Sequence, residues 1–69
     1  MVLILEEKAS KKIIAKFFPE RTEIIDTENY EMKNGDLEEK ASGKVILKEL
    51  DDEEVLLMDC KKYELITEK

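Results

Sequence analysis

The residues of this chain that could do chemistry are its acids, its lysines and one thiol. Asp51-Asp52-Glu53-Glu54 sets four carboxylates in a row, oxygen donors that suit a loosely held Mg²⁺ or Ca²⁺. The run lacks the alternating spacing of a dedicated calcium loop, and a solvated hairpin tip is the preferred reading. Cys60 stands beside Lys61 and Lys62, whose charge would favour a thiolate. A small residue partly buried on a strand explains it more simply. The chain contains no histidine. That removes Ser-His and Cys-His pairs, histidine-bearing zinc sites and the ordinary general base near neutral pH. Gly35 and Gly43 are isolated, so no glycine-rich loop can cradle a phosphate. The expectation is a protein that is not an enzyme, with no catalytic residue, metal site or cofactor.

Charge narrows the partners. The formal net charge is -6, with 12 basic and 18 acidic residues. A negative, mixed surface repels phosphate, which disfavours nucleic acid and anionic lipid. No apolar run approaches the roughly 20 residues of a membrane helix. Met1 to Leu5 is too short, and too soon followed by acids, to be a signal peptide. A single cysteine closes no internal disulfide and leaves the compartment open.

The elements that must position these groups come in duplicate. Leu5-Glu6-Glu7-Lys8-Ala9-Ser10 recurs letter for letter as Leu37-Glu38-Glu39-Lys40-Ala41-Ser42. With Gly43 taken as a one-residue insertion, residues 11–36 align with 44–69 at a spacing of 33, and 12 pairs are identical in all. A tandem repeat governs how the whole chain is read. The expectation is one domain over 1–69, built of two units at about 5–36 and 37–69, with backbone paths diverging at Gly43.

Both units read as strands and turns. Val2-Leu3-Ile4-Leu5 is rich in strand formers. Lys12 to Phe18 fits a helix capped by Ser10 or a strand, and its copy around Val45-Ile46-Leu47 favours the strand. The next segments hold an apolar column of period two: Thr22, Ile24, Tyr30 and Met32, matched by Val55, Leu57, Tyr63 and Leu65. Polar gaps at 26–29 and 59–62 kink each long strand. Asn34-Gly35 is the strongest hairpin signal, because it supplies the two positive φ angles of a type I′ turn. Turns every 8–12 residues or so predict an all-β chain: two strand-turn-strand repeats in a small meander or open jelly-roll-like stack. Adjacent apolar residues (Ile13 with Ile14, Ile46 with Leu47) put apolar groups on both faces of one sheet. Stacking would cover them, so self-association end to end or edge to edge is expected, or membership of a longer array.

Two resemblances bear on function. Leu3 to Ser10 followed by Ile13 to Phe18 resembles the opening strand and helix of the toprim domain of type IA topoisomerases. That likeness implies a catalytic Glu7, with Asp51 and Glu53 as metal ligands. The same turn recurs at 37–42, as a structural unit would, and the reading is set aside. The second resemblance spans nearly the whole chain. Asp26 through Tyr30 to Glu38, then Gly43-Lys44-Val45-Ile46-Leu47, resembles the repeat of the OstA-like family of periplasmic lipopolysaccharide-transport proteins. It implies an open β-stack that assembles end to end and holds acyl chains inside, with a periplasmic location; otherwise the chain is expected in the cytoplasm. Ile13, Ile24, Tyr30, Met32, Val45, Leu47, Leu57 and Tyr63 would then line the inside, joined by Leu65 from the apolar column. The functional expectation is a scaffold that binds lipid or lipopolysaccharide in this apolar trough and self-associates through strand edges. The alternative is a small acidic interaction or regulatory module that pairs an edge strand with a basic protein partner.

Overall fold

The computed structural model describes residues 2–50 and 54–68. Eight strands follow in order: β1 (Val2–Glu7), β2 (Ile13–Phe17), β3 (Thr22–Ile24), β4 (Tyr30–Lys33), β5 (Asp36–Glu39), β6 (Val45–Glu49), β7 (Val55–Leu57) and β8 (Tyr63–Glu68). The chain is all-β, in two four-stranded antiparallel sheets ordered β3-β2-β1-β8 and β4-β5-β6-β7. The segment that also fitted a helix is strand β2. Between β3 and β4, and again between β7 and β8, the chain bends through a polar segment and crosses from one sheet to the other. Such bends form the corners of a sandwich.

The duplication is visible in the hydrogen bonds. Glu7 N–H donates to Lys12 O and Lys11 N–H to Glu7 O; Glu39 N–H donates to Lys44 O and Gly43 N–H to Glu39 O. The Ser10 hydroxyl donates to Glu7 at 2.6 Å, and the Ser42 hydroxyl donates to Glu39 at 2.8 Å. These pairs stand 32 residues apart, so Lys11 is the equivalent of Gly43. Their backbones agree as well, with φ of 63° at Lys11 and 71° at Gly43. The expected divergence at Gly43 is therefore corrected. The spacing becomes 33 only beyond the next turn. Phe18 and Arg21 bracket two residues with reciprocal backbone bonds, whereas Leu50 N–H reaches Glu54 O across three. The extra residue falls within 51–53, outside the described residues.

A bulge in each unit decides which of the adjacent apolar residues turn inward. Leu5 faces Ala15 while Glu6 faces Ile13, leaving Ile14 as the extra residue of a β-bulge. The second unit repeats this: Leu37 faces Leu47, Glu38 faces Val45, and Ile46 is the extra residue. Each bulge turns a second neighbouring side chain inward, so Ile14 with Ala15, and Ile46 with Leu47, are all buried. The freed carbonyls are used. Ile14 O accepts from Ile25 and Asp26 N–H, and Ile46 O accepts from Met58 and Asp59 N–H. Local geometry thus buries Ile46 with Leu47 inside the chain, while Ile13, Ile25, Leu56, Met58 and Ile66 stay exposed.

The two units also exchange strands. β4 follows the first meander in sequence but pairs with β5, and β8 follows the second but pairs with β1. Both copies of the hexamer consequently begin in inner strands, each hydrogen-bonded on two sides. Leu5 and Leu37 at their starts are fully buried. The strand that completes each sheet comes from the other unit, which gives the molecule an internal pseudo-twofold.

Candidate functional site

Tyr30 and Tyr63 occupy equivalent positions, and their hydroxyls meet at 2.8 Å in the buried core. The rings lie edge to face, with centroids 6.2 Å apart, a favoured aromatic geometry. A residue that contacts its own equivalent marks a twofold axis, as at an isologous interface. Burial pushes both phenols above their ordinary pKa, so both stay protonated at neutral pH. Near the axis Lys62 reaches Glu7 at 3.9 Å and Glu39 at 4.0 Å, and its ammonium lies 5.5 Å from the Tyr63 ring centroid. Glu7, the residue singled out by the toprim likeness, is thus matched by Glu39 in the same setting.

The remaining lining candidates are divided. Leu47 is fully buried, and Ile24, Met32, Leu57 and Leu65 are partly buried against the core cluster. Val45 is half-buried. Ile13 is corrected: it is 36% exposed, because the bulge sends Ile14 inward in its place. These inner side chains pack on one another across the two sheets.

Ion pairs repeat at the corners. Lys12 Nζ lies 2.9 Å from Asp26, and Lys44 Nζ lies 3.1 Å from Asp59. The Lys12 ammonium and the Asn29 amide hold the Asp26 carboxyl below its usual range, and Asp26 holds Lys12 above its own. Lys44 does the same for Asp59.

An open cleft of about 260 Å³ lies between the β2–β3 and β6–β7 ends. Phe17, Phe18, Pro19, Leu50 and Val55 supply its apolar walls, and Glu20, Arg21, Thr22, Glu49 and Glu54 its polar ones. The Thr22 hydroxyl donates to Glu49, tying the two hairpins together. The Arg21 guanidinium sits 4.5 Å from the Phe18 ring centroid and 3.4 Å from Glu23. The two sides of the cleft come from corresponding hairpins but differ in chemistry: Phe17 corresponds to Glu49 and Arg21 to Glu54. Sequence reasoning placed Phe17, Thr22 and Val55 in strand segments and Glu54 in an acidic hairpin tip, and did not bring them together. No local signal could, since Thr22 and Glu49 stand 27 residues apart and the two tips meet only through the strand exchange.

Among the described residues there is no group of three or more acids or cysteines arranged to hold a metal; Asp51, Asp52 and Glu53 lie outside them. No described helix is long and apolar enough to cross a membrane. Comparisons with protein-family models, curated proteins and solved structures find no match for this chain.

Proposed function

We propose that this chain is a non-enzymatic interaction module that takes a basic segment of a partner protein at the cleft between its hairpin ends. The observation that carries the reading is the pairing of Phe18, Leu50 and Val55 with Glu20, Glu49 and Glu54 around one opening. An aromatic face beside carboxylates suits a guanidinium or ammonium group. Arg21, which lines the same cleft, already makes that contact with Phe18, and a partner's cation would exchange with it there. The net charge of -6 adds long-range steering toward a basic surface. A free edge at β8, six residues long, offers a partner strand a second means of attachment.

Titration of the ¹⁵N-labelled protein with hexa-arginine and with a neutral hexapeptide tests this. The expected result is amide shifts concentrated at Phe18, Leu50 and Glu54 for the basic peptide alone. Glu49→Gln with Glu54→Gln should weaken binding about fivefold, roughly 1 kcal/mol. Shifts spread evenly over all acidic residues would sink the proposal.

The second reading, a self-associating scaffold for lipid or lipopolysaccharide as the OstA-like resemblance implies, draws support from exposed apolar side chains. Ile13, Ile25, Met58 and Ile66 are each between 36% and 50% exposed. Acyl chains would have to lie on that outer surface or wedge open the packed sheets. Binding of a fluorescent fatty acid that is lost on Ile66→Lys would favour this reading over the first.

A further inference from the structure

We propose that two copies of this chain exchange halves by opening the Asn34-Gly35 turn, so that each globule is built from residues 2–33 of one copy and 36–68 of the other. The surface is the one that each half already presents to its counterpart, and the occupant is a second copy.

Three observations lead there. Every sheet already needs both halves: β1 pairs with β8, and β5 pairs with β4. The Tyr30 and Tyr63 hydroxyls meet across the pseudo-twofold, as they would across a true interface between halves. A two-residue turn, Asn34 at φ 52° and Gly35 at φ 84°, joins the halves. Both angles are left-handed, a conformation that costs asparagine some energy and that an extended hinge would release. Exchange through a short hinge preserves all other contacts.

The geometry of the opened turn is self-consistent. In the hairpin Lys33 faces Asp36, and Met32 faces Leu37. With the turn extended, β4 and β5 of one copy form a single strand. The same strand of the second copy lies antiparallel beside it and restores every one of those pairs between copies. Met32 and Leu37 of one chain are five residues apart and thus point to opposite faces of the straightened strand. One globule therefore forms on each face of the ribbon, which keeps the two cores from colliding. Linked halves see each other at an effective concentration on the order of mM, so the exchanged dimer gains on the monomer as the protein concentration approaches that value, or when the turn is disfavoured.

The test is deletion of Asn34 and Gly35, which leaves no residues to make the turn. Light scattering on the eluting species should give twice the monomer mass, with an unchanged strand signal in circular dichroism. Re-inserting Gly-Gly-Ser at the same place should return the monomer. A second measurement covers the case in which the deletion prevents folding. Leu5→Asp and Leu37→Asp each bury a charge in one half, and each should be unfolded alone. Refolded together from urea, they should recover about half of the native signal, because exchange leaves one globule free of both substitutions. A folded monomer from the deletion variant, or a mixture that stays unfolded, would overturn the proposal. Neither result bears on basic-peptide binding at the cleft.

Discussion

Where β8 meets β1, Ile66 lies opposite Ile4; at the equivalent place where β4 meets β5, Lys33 lies opposite Asp36. Ile4 is buried without belonging to the core cluster, which places it on the outer face beneath its neighbours. Inside, three pairs of equivalents are kept and buried, Leu5 with Leu37, Ile14 with Ile46 and Tyr30 with Tyr63, while Ala15 stands where the other half has Leu47 and Phe17 where it has Glu49. The contrast shows which constraints a duplicated β-unit keeps. The centre of the core and the hydrogen bonds of turn and bulge are held in common. The outward faces and the hairpin ends are where the halves have become different, and there the first half supplies aromatics and the second half acids.

Four sets of variants put the likeness of the halves to the test. The largest effect is expected in the core. Leu5→Ala and Leu37→Ala should each destabilise by about 2–5 kcal/mol, and by nearly equal amounts if the halves are packed alike. Urea unfolding of both variants checks this, and a gap of more than roughly half would show that one half dominates the core. Next comes the axis. Tyr30→Phe or Tyr63→Phe leaves one buried hydroxyl without its partner, at a cost of about 1–3 kcal/mol, whereas the double replacement should recover much of the loss. A double-mutant cycle in thermal unfolding reads the coupling directly.

Third, Lys11 and Gly43 hold the same left-handed backbone, and a side chain at Gly43 would meet nothing within 4 Å. Gly43→Lys should therefore cost about 1 kcal/mol of backbone strain alone, and Lys11→Gly should gain a similar amount. Lys11 also lies 3.6 Å from Glu64 and 4.0 Å from Glu6, exposed contacts that offset the gain only slightly. Chemical denaturation of the two variants should give opposite signs.

The smallest effect is in the acid limb of stability. Asp26 and Asp59 are held below the ordinary carboxyl value of 3.8 in the folded state. Their contribution is thus complete above that pH and is lost as pH falls through the lower, folded value. Asp26→Asn should flatten the limb more than Asp59→Asn, because Asp26 accepts from the Asn29 amide at 3.0 Å beside its Lys12 pair, whereas Asp59 adds to its Lys44 pair only two longer backbone bonds, at 3.3 Å from Lys61 and Lys62 N–H. The Lys12 amine, held above 10.5 by Asp26, contributes fully below that pH and loses its share as pH rises through the folded value. Melting temperatures between pH 2 and pH 7 decide between equal and unequal slopes.

Much of this was legible in the chain itself. Alternation of apolar residues located most of the strands, and Asn34-Gly35 announced its turn, because both signals are local. The bulges were hidden for a physical reason: Ile13 beside Ile14 reads as burial on two faces until one extra residue in the ladder is allowed. The exchange of β4 and β8 leaves no local trace, since alternation says which face is buried and nothing about which strand lies alongside. The site of the insertion was nearly degenerate. Placing it at Gly43 gives 12 identities, and placing it within 51–53 gives 12 or 13, so only the matching hydrogen bonds of Lys11 and Gly43 separate the two. The cleft joins residues of two hairpin ends, such as Thr22 and Glu49, that are far apart in sequence, and so could not be read from either end alone.

The pairing of Val2 with Glu68 gives the molecule a definite response to force. A load applied through the start of β1 and the end of β8 pulls on two strands from the same end of their ladder. The pairs from Val2–Glu68 to Glu7–Tyr63 would separate in succession, as a zipper opens, rather than resisting together in shear. Drawn along a polypeptide, this domain should yield at low tension, and the opening runs straight toward the first copy of the repeated hexamer.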